Sequence, residues 1–323
     1  MIDKPLIFST TSYDYLADEI RALTGFEAGV IERRVFKDGE RYHRIQTPVI
    51  DREVILVAGT VSDEETMELF DLGNAIVDSG ALCLVVVVPY FGYSTMERAV
   101  KYGEAVKAKY RARLLSSIPR ASLANRFYLL DLHAEGIPHY FEQGAQTMHV
   151  YAKDLILRAV RELAELEGAS EFVIASTDAG LSKWVESFAR DLNVQPAFAF
   201  KRRLEADKTV SLGVNGPVEN AMVIIYDDMI RTGGSLLNAG RAYKAAGAKS
   251  LSVVVSHGVF PGNALQVLEE SGLFNRIIAT DSHPRAVELA GDFLRLKSIA
   301  GVFAAHLINV FLSEPERAPA HLI

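Results

Sequence analysis

Cysteine is nearly absent, with Cys83 the single one among 323 residues. One thiol cannot close an intramolecular disulfide, and Cys83 stands inside an apolar run, so it reads as a small core hydrophobe in a reducing compartment. Long apolar runs are missing too. The longest, Leu82–Phe91 and Ala300–Leu312, fall short of the ~20 residues that a membrane-spanning helix needs, and the second contains His306. The opening Met1-Ile2-Asp3-Lys4-Pro5 has no cationic segment followed by an apolar one, so no export signal is expected there. Nor is positive charge in surplus: 34 Lys+Arg against 41 Asp+Glu leave a formal charge of −7. That balance argues against binding nucleic acid through a general basic surface, because neutralising phosphates requires a cationic face. A soluble, cytoplasmic protein that binds neither membrane nor nucleic acid is the expectation.

What is present is a globular composition, 49% hydrophobic and 23% charged, able to bury a core and incompatible with global disorder. The length fits two domains or one large one. Continuously apolar, β-branched runs at Val54–Ala58, Leu84–Val88, Phe127–Leu130, Phe172–Ala175, Met222–Tyr226, Leu251–Val255 and Arg276–Ala279 predict strands buried on both faces of a parallel sheet. Helical spacing between them, over Glu64–Ser79, Tyr151–Glu167, Leu181–Leu192 and Leu236–Ala246, completes a strand–helix–strand alternation. The fold class is therefore α/β, with doubly wound parallel sheets.

The chain also repeats itself. Gly80-Ala81-x-x-Leu84-x-Val86-Val87 recurs 167 residues on as Gly247-Ala248-x-x-Leu251-x-Val253-Val254, and the same offset lays Ile55–Ala58 on Met222–Ile225. An internal duplication predicts two similar domains, 1–147 and 148–323, joined near Gln143–Val150, with the last helix packing back on the first domain. In that register Asp227 and Asp228 fall opposite Thr60 and Val61, and Gly233 opposite Thr66. Only the second half carries the polar equipment.

That equipment is Val223-Ile224-Ile225-Tyr226-Asp227-Asp228-Met229-Ile230-Arg231-Thr232-Gly233-Gly234-Ser235. A buried strand ends in two acids, and a small-residue loop then opens an amphipathic helix. Backbone N–H groups of Thr232, Gly233, Gly234 and Ser235 can wrap a phosphate, aided by the helix N-terminus and two hydroxyls. The acids repel phosphate and suit ribose hydroxyls or hydrated Mg²⁺. The plainer reading of the same residues is a strand end, a turn and a helix cap. His133 and Asp178 each follow a predicted strand, at the edge where open α/β sheets bind ligands. Lys201-Arg202-Arg203 reads either as a solvated basic turn or as fixed cations for a transferring phosphoryl group. Arg98–Arg113, with Lys101, Lys107, Lys109 and Arg111, reads as a mobile lid or as a solvated helix face. His257 and His283 read as structural histidines.

Taken in order, these segments resemble the ribose-phosphate diphosphokinases (phosphoribosyl diphosphate synthetases), built from two domains of the type I phosphoribosyltransferase fold. The resemblance rests on Phe36-Lys37-Asp38-Gly39-Glu40, Pro89-Tyr90-x-x-Tyr93, Asp131-Leu132-His133-Ala134 with Phe141, Thr177-Asp178-x-Gly180, Lys201-Arg202-Arg203 and the Asp227–Ser235 loop. It implies diphosphate transfer from Mg²⁺–ATP to the C1 hydroxyl of ribose 5-phosphate, giving phosphoribosyl diphosphate and AMP. It further implies ATP contacts at Phe36, Asp38, Gly39, Glu40, Thr95, Met96, Glu97 and Arg98, and metal–ATP contacts at His133 and Asp178. Lys201 and Arg203 are then the transition-state cations, with His133 beside them in the catalytic set. Arg231, Thr232, Gly233, Gly234 and Ser235 take the sugar phosphate, and Asp178, Asp227 and Asp228 the ribose. A homo-oligomer, dimer or hexamer, is the implied assembly.

Two departures stand out. Ser94-Thr95-Met96-Glu97 replaces the family's Ala-Arg-Gln-Asp, and Arg231 replaces its Asp. The first leaves open a catalytically weak regulatory paralogue. The second leaves open an acceptor with further phosphate, such as ADP-ribose, since a guanidinium forks onto phosphate oxygens. A phosphoribosyltransferase would use the same loop but needs only one such domain.

Overall fold

The computed structural model describes residues 4–203 and 210–311. It forms two compact units, residues 4–152 with 299–311, and residues 153–298.

In the first unit, strands β1 (Leu6–Ser9), β2 (Glu27–Ala28), β5 (Glu53–Val57), β6 (Cys83–Val88), β7 (Asn125–Leu130) and β8 (Gln146–Val150) make a parallel sheet in the order β2-β1-β5-β6-β7-β8. A separate antiparallel hairpin joins β3 (Ile31–Val35) to β4 (Arg41–Ile45). Helices α1 (Asp14–Thr24), α2 (Asp63–Asp78) and α3 (Lys107–Ser116) belong to this unit. α2 starts where it does because Ser62 accepts a hydrogen bond from the Glu65 N–H, and Asp63, Glu64 and Glu65 complement the helix dipole in its first turn. Every residue of β6 is buried, as its unbroken apolar run predicts.

The second unit holds α4 (Lys153–Leu166), β9 (Phe172–Ser176), α5 (Ser182–Leu192), β10 (Gln195–Arg203), β11 (Val210–Asn215), β12 (Met222–Ile230), α6 (Gly234–Ala245), β13 (Ser250–Gly258), α7 (Ala264–Glu270), β14 (Ile277–Thr280), α8 (Pro284–Glu288) and β15 (Leu294–Lys297). The strand order is β11-β10-β9-β12-β13-β14-β15, parallel except for β11 against β10. The final helix α9 (Ala300–Phe311) belongs to the first unit, where it packs on α1 and sets Phe311 edge-on to Phe26.

The two sheets share one plan, which fits a duplication. Its register differs from the gapless one, however. Leu6 pairs with Val54, and Val173 with Val223; Leu56 pairs with Val86, and Ile225 with Val253. The flanking strands thus recur 167 residues on, but the central strand recurs 169 residues on. A slip of two keeps every side chain on its own face, so apolar pattern alone hides it. Asp227 and Asp228 therefore correspond to Ala58 and Gly59. At Gly59 a Cβ would lie 2.6 Å from Cε2 of Tyr13, a fully buried ring. The first unit closes with an aromatic side chain the position where the second presents acids.

Candidate active site

In the second unit the sheet order reverses between β9 and β12: the chain runs from β9 outward to β10 and β11, then returns to β9's other side with β12. Crevices at such switch points, outside the carboxyl ends of the strands, are where open α/β sheets hold ligands. β12 pairs with β9 only as far as Tyr226 opposite Ser176, yet with β13 it continues to Ile230 opposite Gly258. The sequence reading ends this strand before the acids. The strand instead carries both, because β13 extends alongside and satisfies its backbone. Asp227 and Asp228 therefore have strand on one side and the crevice on the other.

Asp227 is buried. Its Oδ2 accepts from Thr177 Oγ1 at 3.0 Å, and its Oδ1 accepts from the Asp228 N–H at 3.0 Å. Burial pushes its pKa well above the usual carboxylate value, and the charges of Asp228 and Asp178 push the same way. The Thr177 hydroxyl thereby ties the end of β9 to the acid pair of β12.

Asp178, exposed at the end of β9, caps a short turn by accepting from the Gly180 N–H at 2.8 Å. One carboxyl oxygen is thereby engaged locally. Tyr243 on α6 is fully buried and donates to the Ser176 carbonyl at 2.7 Å, tying α6 to the strand that leads into Asp178. Neither Thr177 nor Tyr243 announces itself in the sequence as a site residue.

After Ile230 the chain turns through Arg231, Thr232 and Gly233, and α6 begins at Gly234. Arg231, Thr232, Gly234 and Ser235 are exposed, while Gly233 is buried with φ +80°. The two glycines have different reasons. A Cβ on Gly233 would sit 2.9 Å from Cδ2 of Leu268, whereas one on Gly234 would meet nothing nearer than Thr232 Oγ1 at 3.9 Å. The fold requires the first glycine. At Gly234 the open space lies at a helix N-terminus, where bare backbone lets an anion approach closely.

Lys201, Arg202 and Arg203 close β10, which leaves β9 after Phe198 opposite Ser176 and continues against β11, with Lys201 opposite Leu212 and Arg203 opposite Val210. This corrects the reading as a turn: the triplet is extended backbone beyond the carboxyl edge, at the same end as Asp178 and Asp227. Its side chains lie outside the described residues.

In the first unit, Asp131 takes a left-handed conformation, φ +36°, and its Oδ1 accepts from the Ala152 N–H at 3.0 Å. The Leu132 N–H donates to His149 Nε2 at 2.9 Å. These anchors present His133 exposed at the carboxyl edge of the sheet. Phe36–Glu40 forms the tip of the β3–β4 hairpin. Phe36 is half exposed there, its ring edge-on to Tyr42, and the Glu40 N–H donates to Asp38 Oδ1 at 3.1 Å. Thr95, Met96 and Arg98 are exposed and Glu97 is half-buried. Arg98–Arg113 is not one helix: residues 98–106 are irregular, and α3 starts at Lys107. Arg111 is no solvated cation either, since it pairs with Asp63 and lies over the Tyr93 ring.

A groove of about 890 Å³ lies elsewhere, at the amino ends of β9, β10, β12 and β13, lined among others by Glu167, Gln195, Glu219 and Lys249. None of the candidate site residues named from the sequence lines it. Among the described residues no three His, Cys, Asp or Glu side chains gather as a metal cage, and no helix is long and apolar enough to cross a membrane.

Comparison with known proteins fits this geometry. The family described as the N-terminal domain of ribose phosphate pyrophosphokinase matches residues 5–118, and the phosphoribosyl synthetase-associated domain matches residues 171–311. The chain is 33% identical over 301 residues to the ribose-phosphate pyrophosphokinase of Prochlorococcus marinus (strain MIT 9313), covering 92% of this chain and 87% of that one. It is also 33% identical over 300 residues to the enzyme of that name from Fusobacterium nucleatum, covering 92% of each. The crystal structure of phosphoribosylpyrophosphate synthetase from Mycobacterium smegmatis superposes with a TM-score of 0.83 at 25% identity, covering 95% of this chain and 99% of that chain.

Proposed function

The chain belongs to the ribose-phosphate pyrophosphokinase family, and from that premise we propose that it transfers the diphosphate of ATP to the C1 hydroxyl of ribose 5-phosphate. The bond between the C1 hydroxyl oxygen of ribose 5-phosphate and the β-phosphorus forms, the bond from the β-phosphorus to the α,β-bridging oxygen breaks, and the hydroxyl proton passes to water. Phosphoribosyl diphosphate and AMP are the products. The observation that carries the reading is the acid pair of β12 running directly into the Thr232–Ser235 cradle at the switch point of the second sheet.

In this reading the backbone N–H groups of Thr232, Gly233, Gly234 and Ser235 hold the 5-phosphate, with Arg231 beside them. Asp228 accepts from a ribose hydroxyl, and Asp227, fixed by Thr177, holds the strand end in place and takes the second. Lys201 and Arg203 are assigned as the cations that stabilise the charge building on the transferred phosphoryl oxygens. No protein nucleophile is needed, which leaves Cys83 to the core. On the donor side, Phe36, Asp38, Gly39 and Glu40 of the hairpin tip and the Thr95–Arg98 loop take the nucleotide. A homo-oligomer, the assembly expected for the family, is part of the proposal.

Mg²⁺ ordinarily binds through one or two protein groups together with substrate phosphates and water, so it needs no cage of side chains. The exposed His133 of the first unit and the outer oxygen of Asp178 of the second are each a group of that kind, considered separately. When bound, the ion would neutralise charge on the phosphate oxygens.

The test is AMP release, followed by chromatography, from protein incubated with Mg²⁺–ATP and either ribose 5-phosphate or ADP-ribose. AMP with ribose 5-phosphate is expected. AMP only with ADP-ribose would replace the acceptor, the outcome that Arg231 would explain. No AMP with either would overturn the reading.

A further inference from the structure

Tyr93 holds two cations on one ring. Its backbone lies in the left-handed region, φ +60°, a conformation costly to a bulky residue. Its hydroxyl donates to Asp63 Oδ1 at 2.8 Å. Over its face lie Lys107 Nζ, 4.5 Å from the ring centroid, and Arg111 Cζ, at 5.1 Å. Arg111 also pairs with Asp63. Asp63 opens the helix that follows β5, and Tyr93 lies on the loop that follows β6, so the cluster stands at the carboxyl edge of the first sheet.

For the protein alone this arrangement is unfavourable. Lys107 and Arg111 are four residues apart on one helix, a spacing at which like charges repel. Lys107 is also the first residue of α3, where a cation opposes the helix dipole, and that first turn has no acid. Neighbouring carboxylates have other partners. Glu104 accepts from the Val100 and Lys101 N–H groups, Glu142 pairs with Arg113, and Glu97 pairs with Arg98. Asp63 therefore faces two cations, and the set carries a net positive charge at a ligand-binding edge. A structural staple would need one cation; two on a strained tyrosine suit a ligand with more than one phosphate.

We propose that Lys107 and Arg111 form an anion site that takes the polyphosphate chain of the nucleotide donor, with Tyr93 and Asp63 as positioning residues. Recognition of a nucleoside triphosphate here rests on the diphosphate-transfer reading; recognition of polyphosphate does not. The Ala108 N–H donates to the Met96 carbonyl at 3.3 Å, so the helix that carries both cations starts against the Thr95–Met96 segment, which lacks charge of its own.

Calorimetry with inorganic tripolyphosphate, together with the steady-state constants for ATP, tests the site. Lys107→Gln and Arg111→Met should each weaken tripolyphosphate binding at least ~5-fold and raise KM for ATP similarly, leaving KM for ribose 5-phosphate unchanged. Lys107→Gln should melt close to wild type, because the cation–π contact it loses is offset by removal of a charge that the helix dipole disfavours. This variant alone decides the matter if Arg111→Met fails to fold. Tyr93→Phe, which keeps the ring, should retain more tripolyphosphate affinity than Tyr93→Ala. Wild-type protein that ignores tripolyphosphate, or variants that bind it as wild type does, would overturn the site. Lys107-dependent tripolyphosphate binding without AMP release would instead keep the site and remove the reaction. AMP release with unchanged variant affinities would do the reverse.

Discussion

Thr177 Oγ1 donates to Asp227 Oδ2 across 3.0 Å, joining the carboxyl ends of two adjacent strands where the order of the second sheet reverses. That bond holds a carboxyl group in a buried place. Burial, and then the charges of Asp228 and Asp178, raise its pKa well above the ordinary 3.8. A carboxyl group whose pKa is raised by folding contributes stability that is present in full below the unfolded value and is lost as pH rises through the folded one. Asp227→Asn removes this loss. Its amide can take the Asp228 N–H on oxygen and donate to Thr177. We expect the variant to melt a few degrees above wild type at pH 8, with the gap shrinking toward pH 4, while turnover falls on the order of 100-fold. Thermal melts across that range check the first part; a gap that widens on acidification would refute it.

The adjacent glycines of the cradle should respond in opposite directions. Gly233→Ala forces an L residue to φ +80° and drives its Cβ to 2.9 Å from Leu268 Cδ2, so a loss of about 2 kcal/mol or more is expected in denaturant unfolding. Gly234→Ala meets no protein atom within 3.9 Å and improves the first turn of α6, worth about 0.5–1 kcal/mol. It should nevertheless raise KM for ribose 5-phosphate ~10-fold by standing where the phosphate approaches the backbone.

This contrast shows what could be read in advance. β6 was legible because burial on both faces leaves six consecutive apolar residues. The β3–β4 hairpin was not, because Ile31-Glu32-Arg33-Arg34-Val35 is at least partly solvated along its whole length. β8 alternates exposed and half-buried positions at a sheet edge and leaves no apolar run. The acids and the glycine loop were legible from local spacing, and membership of the diphosphokinase family followed from the order of such segments. The bond between Thr177 and Asp227 spans 50 residues and has no local signal. The two-residue slip in the repeat was hidden for a different reason: a strand's side-chain period of two makes both registers equally apolar.

His283 offers a pH effect of opposite sign. Burial first, and then the charge of neighbouring His257, lower its pKa from 6.5 to about 4. Its Nδ1 accepts from the Arg285 N–H at 3.1 Å and so caps α8 in the neutral form. A depressed folded pKa means stability that is present above pH 6.5 and is lost as pH falls toward 4. Wild type should lose on the order of 2–3 kcal/mol over that interval from this group. His283→Asn keeps a capping oxygen and cannot titrate, so its stability should fall less between those pH values. Parallel wild-type and variant curves would refute the assignment.

Lys201 and Arg203 carry the sharpest prediction for turnover. A protein with a formal charge of −7 that handles polyanions has to concentrate its cations, and β10 takes this pair past the carboxyl edge, where Asp178 and Asp227 also stand. Cations that act on charge developing in the transition state change kcat more than KM when they are removed. Lys201→Ala should therefore lower kcat on the order of 100–1000-fold with KM for both substrates within a few-fold of wild type. The strand is held through its backbone, so Tm should move little. Lys201→Arg restores the charge without the compact ammonium and should recover part of the loss. If KM rises and kcat persists, Lys201 binds substrate in its ground state and the role assigned to it is wrong.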